Sequence, residues 1–310
     1  MIDHITREYI KTQLEYDNKT DIISTNSQAM VKISHDLIIK TAKEFAKKNK
    51  VYLLDIGCGW GDFSNKLNPY IEDYIGVEPS FIELDRFIKS SKCDNRYLVR
   101  GFGEFLDFIK DNSRNVILLN SVLDHCYDWA KAIENCIRIL SPGGIIIVAM
   151  ENSEKIPSKL RRFLKIKVIH HGHLSFLSGA DLEKIFQSNF QLIKKKTIGF
   201  LFGFDYLTKR IPISSKIMLM LNNVTNKIFQ IVLPNSGHLL FYVFVSNQKN
   251  VFDSNFDKPF ICPSCKNDLQ FGMYECSNCK LNIEYLNSRT MDALQLAREM
   301  KVGIPIPLSD

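Results

Sequence analysis

The chain has 310 residues, of which 45% are hydrophobic, 11% aromatic and 24% charged, and this balance excludes a disordered or fibrous protein. Counting glycine as a break, the longest apolar run is residues 239–245, which excludes the stretch of about 20 apolar residues that a spanning helix needs. The N-terminus lacks the apolar core of a signal peptide, so we expect a cytoplasmic protein.

The formal net charge of +6 is divided unevenly along the chain. Residues 1–250 carry 34 Lys and Arg against 26 Asp and Glu, whereas residues 251–310 carry six against eight. The cysteines are also unevenly distributed, because four of the eight form two close pairs after residue 260. These differences predict a large basic domain followed by a small cysteine-containing module.

Short apolar strands alternate with helical segments from residue 27 to residue 150. The predicted strands are 51–56, 74–77, 97–99, 116–119 and 145–150. The predicted helices are 27–48, 62–67, a segment ending at about residue 90, and 128–140. This alternation predicts an α/β fold in which a parallel sheet is covered by helices on both faces.

The pattern changes after residue 150. A helix is predicted at 179–186, two long strands at 190–204 and 239–245, and an apolar helix at 213–233 between these strands. A polar linker follows at 253–257. The predicted units are a lead-in at 1–30, a large domain at 31–250 with cap insertions at about 154–175 and 205–235, and a module with its tail at 258–310.

A glycine-rich loop joins the first strand to the next helix. It reads Asp55-Ile56-Gly57-Cys58-Gly59-Trp60-Gly61, and Glu78 follows at the end of the second strand. Glycines there let a ligand approach the backbone, and a carboxylate at the next strand end can accept both hydroxyls of a ribose. A tight turn without a ligand is the alternative. The pair predicts that loop amides and Glu78 jointly hold a nucleoside-bearing cofactor at the carboxyl edge of the sheet.

Five spaced segments are similar to those of class I S-adenosylmethionine-dependent methyltransferases, in the branch that acts on small molecules. The segments are 54–61, 76–80, 121–125, 138–144 and 173–178, and the resemblance covers roughly residues 30–247. It implies a Rossmann-like, mostly parallel sheet of seven strands with helices on both faces. Strands 190–204 and 239–245 would be the last two and would form a hairpin.

The resemblance also implies roles for individual residues. The loop glycines Gly57, Gly59 and Gly61 would lie against the methionine part of the cofactor. Asp55 would organise this loop, and Glu78 would hold the ribose. The other residues assigned to the cofactor are Cys58, Pro79, Phe102, Gly103, Glu104 and Asn120.

Phe102 departs from the pattern of the family. The family usually has an acidic residue at this position, near the adenine, whereas this chain reads Phe102-Gly103-Glu104. The aromatic ring either stacks on the base or fills the core. The departure puts the acidic contact to adenine in question, while the glycine loop and Glu78 still predict a bound cofactor.

Candidates for the methyl-transfer chemistry follow the fourth strand. Asp124 and His125 would lie at the carboxyl edge of the sheet, where a neutral histidine can accept the proton of a hydroxyl acceptor. The alternative is that His125 packs beneath the loop while Asp124 caps a turn. The resemblance implies that His173 lies on the substrate side of the pocket. O-methylation of a small-molecule, glycan or lipid-linked acceptor fits these features best.

Two further segments flank the predicted site. Residues 155–173 carry six Lys and Arg and no acidic residue, which favours contact with an anionic membrane surface or a phosphorylated substrate, with a solvated lid helix as the alternative. The apolar helix at 213–233 would line a pocket, pair two subunits or touch lipid. The hypothesis is that both segments form a cap over an apolar or lipid-linked substrate that can be phosphorylated, with peripheral contact at the inner membrane surface through residues 155–173.

The cysteine module carries a C-x2-C…C-x2-C array made of Cys262, Cys265, Cys276 and Cys279. Each pair can form a knuckle, and two knuckles complete a tetrahedral site, which predicts structural zinc, with iron as the alternative. The module resembles the small zinc-binding activator proteins of tRNA and translation-factor methyltransferases. Its net negative charge disfavours nucleic acid as a partner.

Two other functions are compatible with the sequence. In one, the chain methylates RNA or protein and the zinc module is a built-in activator. In the other, the chain keeps the cofactor fold without catalysis, which the change at Phe102 permits. Detection of methyl transfer, and of the acceptor that receives it, distinguishes the three functions.

Overall fold

The computed structural model describes residues 10–17, 25–90, 96–155, 174–175, 177–201, 213–247 and 256–301. Its strands are β1 (Val51–Ile56), β2 (Ile71–Glu78), β3 (Arg96–Arg100), β4 (Arg114–Asn120), β5 (Leu140–Glu151), β6 (Phe190–Ile198), β7 (Leu239–Ser246), β8 (Phe260–Ile261), β9 (Asp268–Leu269), β10 (Tyr285–Asn287) and β11 (Thr290–Asp292). Nine of them form one sheet in the order β10-β11-β3-β2-β1-β4-β5-β7-β6, and β8 pairs with β9.

The seven strands predicted from the sequence lie next to one another in the large sheet, from β3 to β6, and β6 forms one of its edges. The five adjacent strands β3, β2, β1, β4 and β5 are parallel to one another. Strand β7 is antiparallel to both β5 and β6. The predicted final hairpin is therefore confirmed. The strand β6 ends at Ile198 rather than at residue 204, because Gly199 adopts a positive φ of 80° and donates its N–H to the Asn226 side chain at 2.9 Å.

Helices cover both faces of the sheet, as the sequence predicted. They are α1 (Thr25–Ala46), α2 (Asp62–Leu67), α3 (Phe81–Ser90), α4 (Trp129–Ile139), α5 (Gly179–Phe186), α6 (Ser215–Val232) and α7 (Ala293–Glu299). Successive strand residues enter opposite cores: Leu53 belongs to the core beneath α1, α2 and α3, and Leu54 to the core beneath α4 and α5. Among the described residues, no helix combines the length and apolar character needed to cross a bilayer.

The C-terminal module is built onto one edge of the sheet. Strand β11 pairs in parallel with β3, with Thr290 opposite Leu98, and β10 pairs antiparallel with β11. Edge strands carry unpaired backbone groups, and β11 pairs with those of β3. Next to this edge, the ring of Phe260 lies 5.3 Å from that of Tyr97. The module therefore lengthens the predicted seven-stranded sheet to nine strands and shares its core.

Several predicted segments fall outside the described residues. These include residues 1–9 of the lead-in, the stretch 156–173 of the basic segment, and residues 205–212 of the second cap insertion. Most of the remaining part of that insertion forms α6, which packs against α1 and β6.

Candidate active site

A cavity of about 410 Å³ opens at the carboxyl edge of the sheet. It is bordered by the loop after β1 and by the ends of β2, β3 and β4, where ligands bind in open α/β sheets. The predicted residues that line it are Gly57, Cys58, Gly59, Glu78, Pro79, Phe102, Gly103, Glu104, Asn120 and His125. Asp55, Gly61 and Asp124 are not part of this lining.

The glycine loop is closely packed at two of its three glycines. A Cβ atom at Gly57 would lie 2.4 Å from Cγ2 of Val122, and one at Gly61 would lie 2.7 Å from the Phe87 ring. At Gly59 the nearest atom would be 3.9 Å away, so this residue leaves room on the side of the cavity. The φ angles of Gly57, Gly59 and Gly61 are 69°, 50° and 82°, and glycine adopts such positive values without strain.

Several N–H groups of this loop are bonded within the protein. Those of Gly57 and Cys58 both donate to the carbonyl of Val77, at 2.8 and 3.1 Å, and that of Gly59 donates to Oε2 of Glu78 at 3.0 Å. These three amides hold the loop on the end of β2, and the loop contributes its shape to the cavity. The expected contact of the loop amides with a cofactor stays a prediction.

Glu78 is held firmly at the wall of the cavity. Its Oε1 accepts the N–H of Ser80 and its Oε2 that of Gly59, both at 3.0 Å, and only 7% of the residue is exposed. Burial raises the pKa of its carboxyl to about 7, although these two hydrogen bonds act in the opposite direction. Because each carboxylate oxygen has two lone pairs, Glu78 can still accept hydrogen bonds from hydroxyl groups in the cavity.

Asp55 lies beneath the glycine loop. Its Oδ2 accepts the hydroxyl of Tyr74 at 2.9 Å, and its Oδ1 has no hydrogen-bond partner within the part of the chain that the structure describes. Burial raises the pKa of this carboxyl to about 7, against the effect of the Tyr74 bond. The hydrogen bond of Asp55 therefore connects β1 to β2 under the cavity rather than reaching into it.

Phe102 packs in a small core and also borders the cavity. It clusters with Ile10 and Leu294, and its ring meets that of Tyr127 edge-on, with centroids 6.4 Å apart. The core-filling alternative considered for Phe102 is thus observed. The same contacts bring Leu294, at the start of α7 in the C-terminal module, next to a residue that lines the cavity.

Glu104 holds the segment that leads to α4. Its Oε1 accepts the N–H groups of Tyr127 and Asp128, at 2.9 and 3.3 Å. Burial raises the pKa of its carboxyl to about 7, and hydrogen bonds from the backbone oppose this rise. These bonds fix the chain just after His125, so Glu104 helps to position that histidine at the cavity.

Asn120 and His125 border the cavity where β4 ends. Between them, Ser121 has a positive φ of 54°, an uncommon conformation for a residue other than glycine that recurs at ligand sites. Asp124 is only 3% exposed, and its backbone carbonyl accepts N–H groups from 174–175 at 2.8 and 3.2 Å. Asp124 therefore anchors that segment, while His125 is the member of the pair that reaches the cavity.

The predicted role of His173 stays a prediction, because His173 lies outside the described residues. In the described part of its motif, the hydroxyl of Ser175 donates to the carbonyl of Leu123 at 2.6 Å. This bond holds the motif against the loop that carries Asp124 and His125.

The structure brings a second histidine to the cavity. His35 of α1 lines it, and Nδ1 of His35 lies 3.0 Å from Oδ2 of Asp62. Asp62 also pairs with Lys66 at 2.5 Å. Burial would raise the pKa of Asp62, but the bonds to His35 and Lys66 outweigh it and the pKa is lowered. Sequence reasoning missed this pair because its members lie on two different helices, and only the position of Asp62 directly after the glycine loop was a signal.

The lead-in segment also closes part of the cavity, which the sequence did not indicate. Gln13 and Tyr16 are among its lining residues. The hydroxyl of Ser80 donates to the carbonyl of Tyr16 at 2.7 Å, and Arg86 pairs with Asp17 at 2.5 Å. These contacts attach the lead-in to the ends of β2 and α3, so it belongs to the site rather than preceding it.

The four clustered cysteines form a candidate metal centre in the C-terminal module. Their sulfur atoms all lie within 4.8 Å of one another. The two halves have the same backbone pattern. Lys266 follows the first cysteine pair and Lys280 the second, with φ angles of 61° and 63°. Their N–H groups donate to the backbone carbonyls of Cys262 and Cys276, respectively. Two equivalent knuckles with four sulfur donors fit a tetrahedral ion such as zinc.

Comparisons with known proteins concern the domain that carries the cavity. A family model described as a methyltransferase domain matches residues 30–195. An uncharacterized protein of Methanocaldococcus jannaschii is 27% identical over 198 residues, covering 64% of this chain and 80% of that protein. The mitochondrial ubiquinone biosynthesis O-methyltransferase of Homo sapiens is 24% identical over 153 residues, but this match covers only 44% of this chain and 40% of that enzyme.

Solved structures share the fold at low sequence identity. The N-methyltransferase NodS of Bradyrhizobium japonicum WM9, in complex with S-adenosyl-L-homocysteine, is 14% identical with a TM-score of 0.49, covering 78% of this chain and 99% of that one. The family is shown instead by the match of the family model, which spans more than half of the chain. The protein thus belongs to the methyltransferase-domain family.

Proposed function

We propose that this methyltransferase transfers the methyl group of S-adenosylmethionine to a hydroxyl of a small-molecule, glycan or lipid-linked acceptor. The observation that carries the proposal is the single cavity that joins the fixed carboxylate of Glu78 to the histidine His125. One end offers acceptors for the hydroxyls of a nucleoside, and the other offers a base. The human relative named above as an O-methyltransferase supports a small-molecule acceptor.

The cofactor would be held by three features of the cavity. Glu78 would accept the ribose hydroxyls with the lone pairs that its two backbone bonds leave available. The space beside Gly59 would admit the methionine part, since a Cβ atom placed there would lie 3.9 Å from the nearest atom, Oε2 of Glu83. Phe102 would border the adenine. The cofactor supplies an activated methyl group, and the residues of the chain bind and orient it and exclude water around it.

Two histidines could take the proton of the acceptor. His125 follows β4 beside Asn120, and His35 is oriented by Asp62. A base must lie within hydrogen-bond reach of the hydroxyl, and both side chains border the cavity. We assign the role to His125, because it stands on the loop to which Asp124 anchors the segment at 174–175. The orientation of His35 by Asp62 makes it the second candidate.

We also propose that the four cysteines bind structural zinc. All four donors are thiols of the chain, so no coordination position is left for a substrate, which favours a structural role. The pairing of β11 with β3 and the contact of Leu294 with Phe102 support a module that holds the cavity wall in position. Nucleic acid is not the partner we propose, because the module carries more acidic than basic residues.

The test combines binding with methyl transfer. Calorimetry should show heat with S-adenosylmethionine and its demethylated product for the wild type. The Glu134→Gln control, which changes an exposed glutamate of α4, should bind equally well, and Glu78→Gln much more weakly. Incubation with isotope-labelled cofactor and panels of hydroxyl compounds, RNA and proteins should then label a hydroxyl acceptor. Absence of heat contradicts the cofactor assignment, and labelling of RNA or protein alone contradicts the proposed acceptor.

A further inference from the structure

The helix α6 has its polarity reversed relative to an ordinary surface helix. Surface helices turn their apolar stripe to the core and their polar face to solvent. In α6 the buried positions are Met218, Asn222 and Asn226, two of which are polar. Its large aliphatic side chains face outwards instead.

The inward asparagines are fixed by specific hydrogen bonds. Nδ2 of Asn222 donates to Oδ1 of Asn26 on α1 at 2.7 Å, and Oδ1 of Asn226 accepts the N–H of Gly199 at 2.9 Å. Turning the apolar side of α6 inwards would break both bonds and leave buried polar groups unpaired. The outward apolar face is therefore the arrangement that the contacts of α6 stabilise.

This outward face is defined here as the apolar stripe and consists of Ile217, Met220, Val224, Ile228, Ile231 and Val232. The exposed fractions run from 49% at Val224 to 85% at Ile231. At about 100° per residue the six side chains fall within an arc of about 120°, and they extend about 22 Å along the axis. A continuous exposed apolar surface of this kind marks an interaction site.

The charges on α6 favour an anionic lipid surface as the occupant of the stripe. Lys216 and Lys227 lie along one border of the stripe, and α6 contains no Asp or Glu. A lysine at such a border can keep its ammonium among anionic headgroups while its stem covers apolar surface. Two copies of α6 packed on each other would bring these lysines together with no acidic partner on the helix, which disfavours a second copy.

Two neighbours of α6 in the fold also border the cavity. α6 packs on α1, and Val31 of α1, itself 38% exposed, lines the cavity. Leu239, which begins the strand after α6, lines it as well. The elements that adjoin α6 therefore contribute apolar residues to one border of the cavity.

We propose that the apolar stripe of α6 docks the protein on an anionic lipid bilayer and that a lipid-linked acceptor reaches the cavity from that surface. Docking requires only the stripe and its bordering lysines. Delivery of the acceptor rests on the function proposed above.

Flotation of the full-length protein with vesicles of equal parts phosphatidylglycerol and phosphatidylcholine tests the docking. We expect the wild type to float at low salt and to float less with phosphatidylcholine alone, because anionic headgroups attract the lysines. The double variant Ile228→Asp, Ile231→Asp should lose about tenfold or more in partitioning. The matched control is Ile193→Asp, since Ile193 is 53% exposed like Ile228 but lies on β6, outside the stripe. This control should float like the wild type.

Three results overturn the docking. The first is absence of wild-type flotation with the anionic vesicles, and the second is an equal loss of flotation in Ile193→Asp. The third is a wild-type dimer that binds no vesicles and that the double variant converts to a monomer, which assigns the stripe to a second copy. Calorimetry with S-adenosylhomocysteine on the same double variant provides the fold control. Unchanged binding together with lost flotation supports docking, whereas a wild type that floats but binds no cofactor contradicts the proposed function alone.

Discussion

Glu78 accepts the backbone N–H of Gly59 at 3.0 Å, and this bond joins the end of β2 to the loop that follows β1. The same carboxylate is a candidate ligand for the cofactor, so it performs two tasks at once. It shapes the loop and it offers acceptor capacity to the cavity. A residue with both tasks should be more sensitive to substitution than one that only contacts a ligand.

Replacing Glu78 with Gln should weaken cofactor binding more than it weakens folding. The amide side chain keeps one acceptor oxygen, but it loses the charge that strengthens hydrogen bonds with hydroxyl donors. Loss of charged hydrogen bonds costs about 1.5–3 kcal/mol, so we expect an affinity about ten- to a hundredfold lower in calorimetry. The exposed Glu134→Gln variant should bind like the wild type. Equal binding by Glu78→Gln would contradict the assignment.

Gly59→Ala and Gly272→Ala form a matched pair. Both glycines have positive φ angles, 50° and 94°, and at neither would a new Cβ meet an atom closer than 3.9 Å. Both substitutions should cost about 1 kcal/mol of stability in thermal unfolding, because alanine is strained in this region. Only Gly59 borders the cavity, so only Gly59→Ala should also reduce cofactor affinity. A similar loss of affinity in both variants would attribute the effect to backbone strain alone.

The stability of the protein should fall as pH rises from about 4 to 7. Burial raises the pKa of Asp55 from 3.8 to about 7. A carboxyl group whose pKa is higher in the folded than in the unfolded protein stabilises the folded state at pH values below the unfolded pKa. This stabilisation is lost as the pH rises through the folded-state pKa. For Asp55 the loss is on the order of 4 kcal/mol. Asp55→Asn should reduce the slope of the melting temperature against pH and leave the part that the raised pKa values of Glu78 and Glu104 contribute, whereas the exposed Asp36→Asn should preserve the whole slope. An unchanged slope in Asp55→Asn would refute this account.

The pH dependence of methyl transfer should separate the two histidines of the cavity. If His125 is the base, His125→Gln should lower kcat by about a hundredfold or more and remove the acidic limb of the rate profile. His35→Gln should then change KM with the limb retained, because a side chain that only borders the cofactor does not accept the proton. Loss of the limb in His35→Gln instead would transfer the role to the pair of His35 and Asp62.

The sequence predicted those parts of the site that are local in the chain. The glycine loop, Glu78 at the end of β2 and His125 after β4 each lie at the junction of a strand and a loop, where the alternation of strands and helices fixes their position. The bounds of β1 and α2 were predicted to the residue for the same reason. The core of a parallel sheet is encoded in continuous apolar runs, which are easily recognised.

The parts that were missed depend on contacts between distant segments. His35 reaches Asp62 from another helix, and the lead-in reaches the cavity through the bond between Ser80 and Tyr16. The addition of β11 to β3 is the same kind of event, because an edge strand pairs with whichever segment the tertiary fold brings to it. The bonds of the Gly57 and Cys58 amides to Val77 belong to this group too, because they join the loop to a neighbouring strand that is distant in the chain.

Removal of the metal should lower cofactor affinity even though the four cysteines are not part of the cavity lining. The zinc would hold the two knuckles together, and this module adds β11 to the sheet and packs Leu294 against Phe102. We expect elemental analysis to find one zinc per chain, and chelation or Cys276→Ser to reduce both the melting temperature and the binding heat. Cys136→Ser, at a buried cysteine outside the cluster, should retain the metal and the binding. Leu294→Ala should retain the metal but bind the cofactor more weakly, because it removes the contact between the module and Phe102 at the cavity wall. Unaltered cofactor affinity in this variant would show that the module stabilises the sheet without acting on the site.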